Sequence, residues 1–329
     1  MKRMEILSFD RDKNFPFAGA RELSVSILMP LLAILFWLGV SITKDIFSAL
    51  CYAFSYWFWT WAVISSGHQA VHKRLFVSPL VNRFYYRFVF LPFGIDADLW
   101  AERHNRAHHP RPNTQGYDLD LDDSTFIRLS PYSELRWYHR FQGFYAPILY
   151  SFAGPIVVLI QDPMQFLRVY RSKANELKPS VIRFFLNKLI WSFYWFFIPV
   201  FVFDFNLRWM LFGFWLGSAL SFWSFIPIGA SHLYNGTRYF LSRQDADSRQ
   251  RQLDTTIDFG TSSRIVTLLY GGLNYHRAHH LYPKLASRYY SEITLQIDEI
   301  QYKEALGFWE LFREHFRLLN ALSTKTIRK

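Results

Sequence analysis

Three short stretches of this chain gather most of its histidines. "GHQAVHK" holds His68 and His72, "AERHNRAHHPRPN" holds His104, His108 and His109, and "NYHRAHHLYP" holds His276, His279 and His280. They account for eight of the eleven histidines in the sequence. Neutral imidazole is the commonest side-chain ligand for borderline metals such as iron, zinc and copper. On an α-helix, residues three and four apart share a face. The spacing therefore aims His68 with His72, His104 with His108, and His276 with His279 and His280. A single zinc takes about four ligands, about three of them from protein in a catalytic site. Eight nitrogens are too many for one ion and suit two. His232, in "GASHLYNG", is a ninth candidate. An all-nitrogen donor set points to a redox metal, because magnesium and manganese favour carboxylates.

The elements that position these residues are membrane helices. The composition is 51% hydrophobic and 20% aromatic, high for a soluble domain. Mean hydropathy is only +0.01, so the apolar residues must be blocked together. Four blocks, at about 24–43, 46–66, 187–203 and 209–230, are each close to the ~20 residues that cross a bilayer. They read as four transmembrane helices in two hairpins, with short outer loops near Lys44 and Asp204. Trp and Tyr cluster at their ends, as interfacial anchors do. Arg and Lys crowd the stretch after the second block, the tail after the fourth and the N-terminus. By the positive-inside rule all three face the cytoplasm. The expected fold is an all-α integral membrane protein, a single domain over 1–329, with a helical cytoplasmic cap (67–143 and 231–329) holding the metal site. The segment 144–160 is apolar but contains Pro147, Gly154 and Pro155, so it reads as re-entrant or interfacial rather than as a fifth span. The first apolar run lacks the cleavage site of a signal peptide.

The net charge of +11 suits anionic lipid headgroups and acidic protein partners. Nucleic acid is not expected, because the charge flanks membrane spans. The lone Cys51 excludes an intrachain disulfide and a thiolate metal site. Outside the boxes, His315 reads as a solvated surface residue, and His139 as packing rather than ligation. Asp258, Glu102 and Asn274 are candidates to orient ligand imidazoles. The run "YDLDLDD", with Asp118, Asp120, Asp122 and Asp123, reads as a solvated loop. "GG" at 271–272 reads as a place where backbone packs closely ahead of the third box. Trp100 and the Trp215–Trp223 region are candidates to line a substrate tunnel.

The motifs "HQAVH", "HNRAHH" and "HRAHH" resemble the histidine boxes of membrane fatty-acid desaturases. "GGLNYHRAHHLYP" and "WYHRFQGFYAP" look most like the acyl-lipid and front-end branch. The resemblance covers about His68 to Pro283. It implies a non-haem di-iron centre under four spanning helices. His68, His72, His104, His108, His109, His276, His279 and His280 would be iron ligands, and His232 the additional histidine between the second and third boxes. Front-end members typically carry Gln where this chain has His276, so their carbon-position assignments do not transfer. Many also carry a fused haem domain with a His-Pro-Gly-Gly motif. That motif is not in this sequence, so electrons are expected from a separate carrier such as ferredoxin or a cytochrome.

The expected activity is an O2-dependent desaturation of a fatty-acyl chain, carried on lipid, coenzyme A or acyl carrier protein. The same metal machinery could instead end in hydroxylation, an acetylenic bond, or decarboxylation to an alkene. A membrane metal carrier is disfavoured, because carriers place ionisable ligands near mid-membrane and these spans are almost free of them.

Overall fold

The computed structural model describes residues 17–118, 125–171, 180–242, 247–299 and 301–324. Its elements, in chain order, are α1 (Ala20–Gly39), α2 (Ile46–Ala62), α3 (Pro79–Phe90), α4 (Ala97–Arg103), α5 (Gln142–Ser151), α6 (Asp162–Arg171), α7 (Val181–Ser192), α8 (Leu207–Ala230), α9 (Ser248–Thr255), α10 (Arg264–Leu269), α11 (His276–Leu281), α12 (Tyr290–Asp298) and α13 (Phe308–Leu322). Among the described residues there is no β-strand; the two isolated bridges are Thr114 to Phe240 and Phe259 to Leu306.

Three helical stretches are long and apolar enough to cross a membrane: Ala20–Gly39, Val181–Val202 and Leu207–Ala230. The bent pair Trp137–Ser151 and Ala153–Arg171 would be a fourth if it is one broken span. The 46–66 block forms α2, 17 residues long, and runs on without leaving helical backbone through the π-turn Val63–Gly67 into His68–Val71. Each start has a local cause. Asp45 accepts the Phe47 N–H at the head of α2, and Asn206 accepts the Arg208 N–H at the head of α8.

The central contact is α2 against α8. Gly213 and Gly217, one turn apart, let the two backbones meet. A Cβ at Gly213 would lie 2.7 Å from the Ala49 carbonyl oxygen, and one at Gly217 would lie 3.0 Å from that of Ala53. Small residues spaced four apart are how helices approach closely in lipid, where no hydrophobic effect drives them together. Hydroxyls add polar links inside the bundle. Thr60 donates to Ser221 at 2.6 Å, Trp57 donates to Ser224 at 2.8 Å, and Ser55 ties α2 to the Ala33 carbonyl of α1 at 2.7 Å. Large apolar side chains such as Ile27, Ile182 and Phe201 cover the outer surface.

Lys44 and Asp204 form an ion pair between the α1–α2 and α7–α8 connections, so both short loops sit at one end of the bundle. From that end α2 runs to His68 and α8 runs to His232. The two helices thus deliver histidines to the same opposite end. At ~1.5 Å per residue, 24-residue α8 is about 36 Å long. The 144–160 segment is bent by 79° next to Phe152, as its Gly and Pro predict. Gly154 at the bend would place a Cβ 2.1 Å from Ser218 Oγ, so the bend is pressed against the middle of α8.

Replacing Gly213 with Leu should force α2 and α8 apart. The expected result is a drop in melting temperature in detergent, equivalent to at least about 1–3 kcal/mol of overpacking. Phe212→Leu, on the partly exposed outer face, should leave the melting temperature nearly unchanged.

Candidate metal centre

All nine predicted histidines come together. The potential donor atoms of His68, His72, His104, His109 and His279 lie within 4.8 Å of one another, and so do those of His108, His232 and His280. His276 joins the second group, with its Nε2 2.8 Å from that of His232. Seven of the nine residues are buried; His72 and His104 are half-buried.

The grouping differs from the helical spacing in one instructive way. His104 and His108, four apart, were expected to point together. Instead His104–His108 is a π-turn, in which the His109 N–H bonds the His104 carbonyl at 3.0 Å. That widened turn brings residues five apart onto one face, so His104 pairs with His109 (Nε2–Nε2 3.0 Å) and His108 turns to the other group. π-bulges of this kind concentrate at functional sites. The third box is divided as well: His279 joins the five-histidine group, while His276 and His280 join His232. Only the first box stays together, as its spacing predicts.

The nitrogen geometry fits a metal. His104 Nε2 lies 2.8 Å from His68 Nε2, 3.3 Å from His72 Nε2 and 3.0 Å from His109 Nε2. A neutral imidazole nitrogen has either one proton or one lone pair, so it can satisfy at most one of these three contacts. His232 Nε2 likewise faces both His280 (3.0 Å) and His276 (2.8 Å). His279 Nε2 is buried without a partner among the described residues. Lone pairs gathered in this way are satisfied by a cation between them. Burial holds the rings neutral. It pushes His72 and His276 down to about 3, and His68, His104, His109, His232, His279 and His280 well below the ordinary imidazole value, with neighbouring rings adding to the effect.

For five of the nine rings the opposite nitrogen has a partner that sets the tautomer. His232 Nδ1–H donates to the Thr255 carbonyl at 3.0 Å, and His276 Nδ1–H to the Leu273 carbonyl at 3.2 Å. The His280 Nδ1–H donates to Gln252 Oε1 at 2.9 Å, and the His108 Nδ1–H to the Asp118 carboxylate at 3.3 Å. His279 Nδ1 lies 3.3 Å from the Tyr290 hydroxyl, which itself donates to the Leu285 carbonyl. Each bond leaves Nε2 with its lone pair free. Sequence reasoning missed Gln252, Tyr290 and Thr255, which lie from 11 to 28 residues away from the histidines they hold.

Several sequence expectations need correction. Asp118 is buried, not solvated, and also accepts the Asn113 N–H at 2.9 Å. Asp120, Asp122 and Asp123 lie outside the described residues. Asp258 does not touch an imidazole. Its carboxylate takes the Arg277 backbone N–H at 2.8 Å and the guanidinium at 2.9 and 2.8 Å, fixing the helix that carries the third box. Glu102 pairs with Arg106, and Asn274 donates to Thr267, so neither orients a ligand. His315 is buried: its Nδ1 bonds the Leu233 carbonyl at 2.7 Å and its Nε2 lies 2.9 Å from the Tyr150 hydroxyl. His139 stays clear of the metal groups, as expected, bridging Arg136 N and the Thr125 carbonyl. Trp100 stacks on His104 at 4.6 Å, whereas Trp223 packs against Tyr150, Phe312 and Phe316, and Trp215 is exposed beside Phe152.

Gly271 and Gly272 seat the third box against the first. Both have positive φ, +57° and +86°, and a Cβ on Gly271 would stand 2.1 Å from the Ser65 carbonyl oxygen. Ser65 lies in the π-turn that leads into His68.

Among the described residues, helices without strands, membrane-length apolar stretches and nine converging imidazoles define a multi-pass membrane protein with a candidate metal site. The chain belongs to the fatty acid desaturase family, whose model matches residues 45–312. That makes it an oxidoreductase of the desaturase class. It is 25% identical over 279 residues to the sn-1 linoleoyl-lipid 6-desaturase of Synechocystis sp., covering 78% of this chain and 75% of that protein. It is 27% identical over 273 residues to the probable Delta(5) fatty acid desaturase C of Dictyostelium discoideum, covering 77% of this chain but 59% of the relative. The acyl-lipid (8-3)-desaturase of Mortierella alpina is 26% identical over 247 residues, covering 69% of this chain and 54% of that protein. The chain thus spans little more than half the length of the last two. The relatives named here are all desaturases, which does not favour the hydroxylase, acetylenase or decarboxylase alternatives.

Two outcomes follow from this geometry. Asp258→Ala leaves the Arg277 guanidinium uncompensated on one side in a buried site; it should destabilise the protein by about 3–5 kcal/mol in denaturant or thermal unfolding. The depressed pKa of about 3 for His72 and His276 lies below the ordinary ~6.5 of an unfolded histidine. Between those values the unfolded chain binds more protons, so stability falls as pH drops through that window. Metal-free protein should therefore melt at a lower temperature at pH 5 than at pH 7.5.

Proposed function

We propose that this chain is an O2-dependent fatty-acyl desaturase whose nine histidines hold two iron ions. The observation that carries the reading is the convergence of the Nε2 lone pairs into two groups, in a chain of this family. The five-histidine group (His68, His72, His104, His109, His279) takes one ion, and His108, His232, His276 and His280 take the other. Two irons with O2 supply the oxidising power to break two unactivated C–H bonds. In sum, R–CH2–CH2–R, O2, two electrons and two protons become R–CH=CH–R and two waters. The electrons come from a separate carrier protein, drawn by the basic surface.

The residues' own work is to orient and to exclude. The Nδ1 acceptors keep every held ring in the tautomer that offers Nε2. Burial keeps protons off the rings and bulk water out of the site. Trp100, stacked on His104 and 5.0 Å from Phe90, forms an apolar wall against which an acyl chain can lie. The relatives from Synechocystis and Mortierella are named for lipid-linked acyl chains, and a lipid-bound chain is the substrate we propose here.

The membrane arrangement in this reading is four spans in two hairpins, α1–α2 and α7–α8, with their short loops on the outer side. The Lys44–Asp204 pair supports it by joining those loops. The segments 67–143 and 231–329 cover the histidine end as a cytoplasmic cap, with both termini cytoplasmic and the bent 144–160 segment re-entrant.

The test is mass spectrometry of total fatty acids from a bacterium expressing the chain together with a ferredoxin and its reductase. The expected product is a fatty acid lighter by two hydrogens, absent with His108→Ala. A hydroxylated or chain-shortened product would replace desaturation with another outcome of the same chemistry. A purified chain with no bound iron would refute the reading altogether.

A further inference from the structure

We infer that the two ions are held unequally, the one among His108, His232, His276 and His280 more tightly than the one in the five-histidine group. The inference rests on the two-iron reading above and concerns how the chain differentiates its two subsites.

The difference lies behind the rings. In the four-histidine group every Nδ1 has an acceptor: the Asp118 carboxylate, the Thr255 and Leu273 carbonyls, and Gln252 Oε1. These acceptors are themselves held. Asp118 takes the Asn113 N–H, and Asn113 in turn donates to the His232 carbonyl at 2.9 Å. Gln252 donates its own N–H to the His109 carbonyl at 2.6 Å. The four rings are thus fixed before a metal arrives, and one of them is backed by a negative charge.

In the five-histidine group only the His279 Nδ1 has an acceptor among the described residues, the neutral Tyr290 hydroxyl at 3.3 Å. The Nδ1 atoms of His68 and His109 are buried with no partner among the described residues. Glu102, an acid on the same helix as Trp100, is turned away to Arg106. Outer partners raise the basicity of an imidazole and fix its orientation, and losing one typically costs about 10–100-fold in metal affinity. A dication also needs counter-charge when it is taken out of water. One extra imidazole supplies neither.

The test uses the full iron-loaded chain in detergent, titrated with a ferrous chelator while iron per chain is measured by elemental mass spectrometry. Wild type should lose iron in two steps with a plateau near one ion per chain. Asp118→Asn should move the second, tighter step to about 10–100-fold lower chelator concentration and leave the first step in place, and Gln252→Met, which also frees the His109 carbonyl, should move the second step further than the first. Tyr290→Phe should move the first step alone. A purely structural role for these residues would shift both steps together, and so would overturn the inference. Simultaneous loss of both ions from wild type would overturn it equally. Should Asp118→Asn fail to fold, Gln252→Met and Tyr290→Phe still give opposite expectations. If wild type carries no histidine-dependent iron before chelator is added, the two-iron reading itself has failed.

Discussion

Nine imidazoles, packed with their ring nitrogens facing one another and seven of them buried, are the constraint on which the rest of this molecule depends. The described residues do not supply partners for all of these nitrogens, and the chain holds them in place regardless. Buried polar atoms without partners cost free energy, so the surroundings must be stiff enough to impose the arrangement. Much of the remaining structure serves that purpose. The helices α2 and α8 bring His68 and His232 to one end of the bundle, and their small-residue contact sets the distance between those two. Gly271, against the Ser65 carbonyl, then seats the third box on the first.

The buried Asp258–Arg277 pair belongs to the same logic. Arg277 sits between His276 and His279 in sequence, on a helix only six residues long. So short a helix has little stability of its own. Anchoring its arginine, by backbone and side chain together, to a carboxylate 19 residues earlier fixes how that helix is rotated. Charge is used here to set an angle, since a buried ion pair is weak evidence of net stabilisation.

The apolar helices and the gathering of the nine histidines were legible because both are carried by residue type in bulk: long apolar blocks, and a side chain with one dominant chemistry. What the sequence did not reveal was how the histidines divide. Spacing rules assume α-helical turns, and the π-turn at His104–His108 leaves no mark in composition. The acceptors behind the rings were hidden for a different reason. Gln252, Thr255 and Tyr290 reach their histidines only through the fold, whereas Asp258 and Glu102, as acids, drew the assignment and the structure pairs them with Arg277 and Arg106 instead. His315 could have been read correctly. With Leu311, Leu318 and Leu322 it lies on the buried face of α13, and a polar residue on an apolar stripe is more informative than its charge class.

The widened turn at His104 also gives meaning to the adjacent pair His108–His109. In an ordinary helix two neighbours point about 100° apart, and one of them would be wasted on a single binding point. Here the two serve different destinations, so the doubled letter marks where one segment is shared between both halves of the site. The division of labour is therefore written in chain register rather than in side-chain identity. A deletion of Asn105, Arg106 or Ala107 alone would keep every histidine in the stretch and still reassign them, which makes the length of this turn as heritable a part of the site as the histidines themselves.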